Sequence, residues 1–221
     1  MVVEIGSEIR IRDASKELYD WAQENLIIPN PQYRERERRG LWVGNTPKYL
    51  WLYHVDGSDL IVPTGVGKQV RQFLSEKDQI YVHLADNGLL DYKGTIPLYD
   101  YQKEAVEVMQ RTSCGILQSP CGSGKTQMGI ALAAELGRKV LWVTHTQDLL
   151  IQSKTRAEQY FSSETLGTIT AGKAQVGSHI TFATVQTLCK MDLEQFRYTW
   201  DVVIVDECHR LAGSPTQVTM F

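Results

Sequence analysis

The sequence predicts an α/β protein in two parts: a parallel sheet flanked by helices over residues 97–221, preceded by a small α+β domain over residues 1–96. Three observations carry this expectation. Apolar runs alternate with helical patterns between residues 99 and 210, a glycine-rich loop sits between one such run and a helix, and the pattern changes abruptly at Lys93-Gly94-Thr95-Ile96-Pro97. Gly and Pro punctuate elements, so that pentapeptide reads as the joint between the two parts.

The apolar runs are Gly115-Ile116-Leu117, Val140-Leu141-Trp142-Val143, Ile180-Thr181-Phe182 and Val202-Val203-Ile204-Val205. Continuous rather than alternating hydrophobicity is the mark of strands buried on both faces of a parallel sheet. Between the first two runs, Thr126 to Leu136 is rich in Met, Ile, Leu and Ala, and Gly137 follows as a C-cap candidate. A strand, loop, helix, strand unit follows from that order.

In the first part, Ile9-Arg10-Ile11 reads as a strand, and Asp13 is a candidate N-cap for a helix carrying Leu18, Trp21 and Ala22, ended by Pro29 and Pro31. Tyr49-Leu50-Trp51-Leu52-Tyr53 and Leu60-Ile61-Val62-Pro63, joined through Asp56-Gly57-Ser58-Asp59, read as a β-hairpin.

The chain has 221 residues and ordinary globular composition, 43% hydrophobic and 22% charged, which is enough apolar material for packed cores. Its formal net charge is −3, so a nucleic-acid partner would have to be met by a local patch rather than a global basic field. No window reaches the roughly 18 apolar residues of a membrane span, and the N-terminus lacks a basic, apolar leader pattern. The expectation is a soluble protein that is not secreted, cytoplasmic or, in a nucleated cell, nuclear. Four scattered cysteines, Cys114, Cys121, Cys189 and Cys208, make no Cys-x-x-Cys pair, which argues against a disulfide framework or a structural zinc site and for reduced intracellular thiols, with Cys121 and Cys208 expected as buried, inert side chains.

Ser119-Pro120-Cys121-Gly122-Ser123-Gly124-Lys125-Thr126 follows an apolar run and opens a helix, the context a phosphate-binding loop requires. Gly122 and Gly124 let the backbone curl around an anion, and the loop's N–H groups with the helix N-terminus meet phosphate oxygens. Ser119, Cys121 and Ser123 complete that cradle, Lys125 brings a charge to the β and γ phosphates, and Thr126 offers a hydroxyl to Mg²⁺. Eighty-one positions after Lys125, the run Val202–Val205 ends in Asp206 and Glu207. A carboxylate at the end of a parallel strand faces the same crevice as the loop, which makes Asp206 a second Mg²⁺ ligand and places Glu207 to orient or deprotonate a water. A small-molecule kinase has no use for adjacent Asp206 and Glu207.

With these residues in hand, the chain resembles the DEAD/DEAH-box helicases of superfamily 2, in which Asp206-Glu207-Cys208-His209 is a variant of the naming box and the loop is the first motif. The resemblance implies a RecA-like ATP-binding domain, ATP and Mg²⁺ as cofactors, and DNA as partner. Tyr101 and Gln102 resemble the adenine-reading Q motif, with Gln102 at the adenine edge; the alternative is an exposed polar residue at a helix start. Thr144 and His145, Thr170 and Gly172, and Thr184 and Gln186 resemble three loops that touch the nucleic-acid backbone, a role suited to hydroxyls and N–H groups that position a strand without reading it. His209 would couple the ATP site to a neighbouring domain.

A small domain ahead of such a core resembles XPB-like and UvsW-like DNA helicases, related to type III restriction motor subunits, which act on double-stranded or branched DNA in repair, recombination or replication. Arg34, Arg36, Arg38 and Arg39, near Trp42 and Lys48, form a candidate nucleic-acid patch, although the interleaved Glu35 and Glu37 also fit a salt-bridged, solvent-facing helix. The 221 residues contain neither the next helicase motif nor the second RecA-like domain, which supplies arginine fingers in the family. The expectation is therefore a chain that holds ATP and turns it over poorly, and the rival is a naturally short, noncatalytic nucleotide- or DNA-binding module. DNA against RNA, polarity and oligomeric state stay open at this level.

Overall fold

The computed structural model describes residues 1–112, 114–170 and 173–210, without the side chain of Arg210. It divides into two compact units, Met1–Leu84 and Ala85–Phe221. The division falls ahead of the glycine and proline joint expected at 93–97. The reason is packing: Tyr92 and Ile96 lie against the core of the second unit, and the Tyr92 hydroxyl donates to the carbonyls of Arg138 and His179.

The first unit runs β1 (Val2–Ile5), β2 (Glu8–Arg12), α1 (Lys16–Asn25), β3 (Ile27–Pro29), α2 (Pro31–Arg38), β4 (Tyr49–Trp51), β5 (His54–Asp56), β6 (Asp59–Pro63), α3 (Gly67–Arg71) and β7 (Gln79–Val82). Five strands form one sheet in the order β5-β6-β2-β1-β7, antiparallel except for the β1–β7 pair. Leu18 and Ala22, four apart on α1, bury against Ile9, Ile11, Leu60 and Val62. The cap of α1 is Ser15, whose Oγ accepts from the Leu18 N–H at 3.2 Å, and not Asp13. Asp13 instead adopts φ 53° in the turn that precedes it.

The expected hairpin is shorter than its sequence pattern. On the hairpin side it is His54–Asp56, and none of Tyr49–Tyr53, that pairs with β6, whereas Tyr49–Trp51 pairs with Ile27–Pro29 as a separate two-stranded ribbon. Tyr53 turns into the core and leaves Tyr49 and Trp51 exposed. Pro31 opens α2 at its first position rather than ending an element, because a missing N–H costs nothing there.

The second unit contains α4 (Asp100–Gln110), α5 (Lys125–Leu136), β8 (Val140–Thr144), α6 (Gln147–Ala157), β9 (Leu166–Thr170), β10 (Lys173–Gln175), β11 (Ile180–Thr184), α7 (Val185–Leu188) and β12 (Val202–Val205). The sheet order is β10-β9-β11-β8-β12, with β9, β11, β8 and β12 parallel and β10 antiparallel at one edge. Every residue of β8 and β11 is buried. Trp142, Phe182, Ile130 and Leu150 pack one face, and Leu141, Val143, Ala183 and Leu188 the other. This is the mixed α/β, RecA-like arrangement the sequence predicts.

One expected strand is missing. Gly115-Ile116-Leu117 forms no strand, Ile116 is 83% exposed, and β12 is the sheet edge among the described residues. A three-residue run led by glycine brings little side-chain packing to a ladder, so its pairing is not secured locally. Conversely, β9 and β10 were not legible as strands, because Leu166-Gly167-Thr168-Ile169-Thr170 is interrupted by glycine and threonine.

Candidate functional site

The glycine-rich loop folds where its φ requirements can be met. Gly122 has φ 79° and Gly124 has φ 81°, the left-handed region that favours glycine. Gly124 is the N-cap of α5, so Lys125 and Thr126 open the helix and its unsatisfied N–H groups point into the loop. A Cβ at Gly124 would strike the Nε2 of Gln102.

The loop is held by its own groups. Lys125 Nζ donates to the carbonyls of Ser119 and Pro120, each at 3.3 Å, and the Ser119 hydroxyl meets that of Ser123 at 2.7 Å. Carbonyls are neutral partners for an ammonium, and phosphate oxygens are stronger, charge-assisted ones. The ammonium thus stands at the loop with a partner set it can exchange.

Asp206 lies just past β12 and its N–H bonds the Val143 carbonyl at 2.9 Å. Its carboxyl is held above the ordinary range, first by burial and second by the charge of Glu207, against the lowering influence of the Glu207 N–H and of Lys125. A cation near Asp206 would relieve both raising causes. Glu207 adopts φ 53°, a sparsely populated conformation for a residue with a side chain, and its Oε2 lies 3.3 Å from His209 Nδ1.

No cluster of three His, Cys, Asp or Glu side chains able to hold a metal exists among the described residues. Half-buried Thr126 at the start of α5 and the single carboxylate Asp206 are the oxygen-bearing side chains that could hold Mg²⁺. That ion keeps several waters and takes substrate phosphates rather than an all-protein cage.

Gln102, expected at an adenine edge, is 4% exposed and is neither solvated nor pointed away from the protein. Its Oε1 accepts from the Tyr99 N–H at 2.9 Å and its Nε2 donates to the Ser123 carbonyl at 2.9 Å, so the side chain ties the start of α4 to the loop. The Tyr101 hydroxyl donates to the same carbonyl at 3.1 Å. Tyr99 and Tyr101 stack with centroids 5.9 Å apart and 9° between planes, both exposed. Cys121 is exposed and Cys208 half-buried, which corrects the expectation of buried thiols, because the loop tip leaves no apolar surface to cover a side chain.

The three expected nucleic-acid loops fare unequally. Thr144 is buried and donates to the Thr146 carbonyl at 3.1 Å. Thr184 is buried and caps α7, with its Oγ1 3.3 Å from the Thr187 N–H and 2.9 Å from the Thr187 hydroxyl. Both hydroxyls are spent on their own chain. His145 is half-buried and Gln186 exposed, with Gln186 Nε2 3.5 Å from His145 Nδ1. Gly172 lies outside the described residues.

Thr170 and Gln186, however, line one cavity of about 490 Å³ with Lys173, Thr187 and Lys190. Lys173 ends the segment 170–173 that resembles one of those loops, whereas Lys190 escaped sequence reading, because a lysine after a short helix carries no local signal. In the first unit, Glu35 pairs with Arg38 at 2.9 Å and Arg39 at 2.6 Å, while Arg36 Nη1 donates to the Trp42 carbonyl at 3.3 Å and Arg34 is exposed.

The family model for the type III restriction enzyme, res subunit, matches residues 95–219. The DNA 3'-5' translocase XPB2 of Sulfurisphaera tokodaii is 29% identical over 148 residues, which is 65% of this chain and 33% of that protein. The chain thus spans about a third of the length of that relative. The crystal structure of the UvsW helicase from bacteriophage T4 superposes with a TM-score of 0.65 at 21% identity, covering 99% of this chain and 85% of that one. The fold is shared with it. No helix among the described residues is long and apolar enough to cross a membrane.

Proposed function

We propose, from the premise that this chain belongs to the type III restriction enzyme res subunit family, that it carries the ATP- and Mg²⁺-binding half-site of an ATP-dependent DNA helicase or translocase acting on double-stranded or branched DNA. The observation that carries this reading is the Lys125 ammonium, resting on the neutral carbonyls of Ser119 and Pro120 with the partly buried carboxyl of Asp206 in its field.

In this reading the β and γ phosphates displace the two carbonyls from Lys125, and the N–H groups of the loop and of the first turn of α5 take the remaining oxygens. Thr126 and Asp206 hold Mg²⁺, which supplies charge neutralisation to the phosphates when bound. Glu207 is the group that orients or deprotonates the attacking water, and its left-handed backbone aims the carboxylate while His209 restrains it. The exposed rings of Tyr99 and Tyr101 offer stacking faces for adenine. On the same unit, Lys173 and Lys190 with Thr170, Gln186 and Thr187 form a groove for DNA phosphates, positioning a strand without reading its bases.

The test is calorimetric titration of the chain with ATP and Mg²⁺. Lys125→Ala should weaken affinity by at least tenfold, the size of loss expected when a charge-assisted set of bonds worth about 1.5–3 kcal/mol is removed. Affinity unchanged in Lys125→Ala would place the nucleotide elsewhere or remove it altogether.

A further inference from the structure

The residues around Trp42 form a second feature, unrelated to the ATP site. Among the described residues Trp42 is the most exposed of the large hydrophobic side chains, at 84%, yet the loop that carries it is tightly built. At one end, the Leu41 N–H bonds the Arg36 carbonyl at 2.9 Å and Arg36 Nη1 bonds the Trp42 carbonyl. At the other end stands Asn30, which is 2% exposed; its Nδ2 donates to the Pro47 carbonyl at 2.8 Å and its N–H to that of Lys48 at 2.9 Å.

Within the loop, Thr46 N–H bonds the Val43 carbonyl at 3.0 Å, and Gly44 turns with φ 52° directly beneath the indole. A Cβ at Gly44 would lie 2.8 Å from Trp42 Cζ3, so one ring face rests on glycine and the rest stands in solvent. Residues 31–48 carry five cations, Arg34, Arg36, Arg38, Arg39 and Lys48, against two carboxylates, in a chain of net charge −3. Trp51 and Tyr49, on one face of the following strand, are 64% and 47% exposed.

We propose that this loop is a docking site for unpaired nucleic-acid bases, with the Trp42 indole stacking on a base and Arg34, Arg36 and Lys48 taking the flanking phosphates. A flat ring held rigid loses little freedom on stacking, and every base offers a π face. Five cations against two carboxylates make the loop locally positive in a chain of net charge −3, which complements the phosphates that flank a stacked base. The site rests on the first unit alone and would stand whether or not the ATP reading does.

The experiment uses the whole chain, with a labelled oligothymidylate of about 20 nucleotides and the matching blunt duplex as probes, read by fluorescence anisotropy. Trp42→Ala should weaken oligothymidylate binding about tenfold and W42F should restore most of it, while duplex affinity changes less than about twofold. Photocrosslinking of a 5-iodouracil oligonucleotide gives a local readout and should map to residues 40–48. Equal loss on both probes, no loss in W42A, or crosslinks that avoid residues 40–48 would overturn the proposal. So would capture of an acidic peptide by the same loop with oligothymidylate binding intact, which would reassign the surface to a protein partner.

Discussion

Gly129 stands in the middle of α5, where helix propensity alone says that Gly129→Ala should stabilise the protein by about 1 kcal/mol. Tertiary packing says the opposite. A Cβ at this position would lie 2.6 Å from Trp142 Cη2 and 2.9 Å from Cζ3, whereas carbon atoms settle about 3.5–4.0 Å apart. Trp142 has nowhere to withdraw: it is 1% exposed, it packs on Phe182 with centroids 6.0 Å apart, and the same Cβ would already lie 3.8 Å from Ile204 Cγ2.

Overpacking of this kind costs about 1–3 kcal/mol, and the rigid surroundings put this case toward the upper end. Subtracting the propensity gain leaves a net destabilisation of about 1–2 kcal/mol, a drop in melting midpoint on the order of 2–8 °C. Urea unfolding followed by near-ultraviolet circular dichroism would measure it. The double variant G129A/W142F removes the part of the ring that the new methyl meets and should recover most of the loss, a coupling of about 1 kcal/mol or more. A rise in stability in G129A, or strict additivity in the cycle, would refute the claim that close approach to Trp142 is what fixes glycine here.

Other expectations are shorter to state. Since both ends of the Gln102 carboxamide bond the protein, and the Ser123 carbonyl keeps Tyr101 as a second donor, Gln102→Ala should weaken ATP and GTP alike by about fivefold. Loss confined to ATP would return Gln102 to the adenine edge. Because the folded protein holds the Asp206 carboxyl above its unfolded value, the stability this group contributes is present at acid pH and lost as pH rises through the raised value. D206N should therefore melt higher than wild type near neutrality while losing Mg²⁺-dependent ATP affinity, and a lower midpoint would contradict the burial argument. Replacing Lys173 and Lys190 together by Ala should cut the salt slope of duplex binding by about 2 and leave ATP affinity unchanged. An unaltered slope would remove the groove from the DNA path.

The parts of the site that were legible are those whose chemistry is local. Gly122, Gly124, Lys125 and Thr126 are consecutive or nearly so, and the φ values that the loop needs are a property of glycine, readable without knowing any neighbour. The same holds for strands buried on both faces, such as Val140–Thr144 and Ile180–Thr184, which announce themselves as unbroken apolar runs. Hydroxyls are ambiguous for the converse reason. Thr144 and Thr184 look alike in sequence whether they face a phosphate or cap the next turn, and only the fold shows both bonded within their own segments.

By itself, then, the sequence determined the α/β class, the glycine-rich loop ahead of a helix and the acidic strand end, because periodicity and backbone conformation act over a few residues. Tertiary structure alone decided that Gln102 braces a loop 21 positions away, that Thr170, Lys173, Gln186 and Lys190 share one groove, that Trp51 pairs with Ile27 instead of extending the hairpin, and that Gly129 must lack a side chain. Each of those is a contact between separate segments. Its energy depends on what the rest of the chain brings alongside, and no local pattern contains that information.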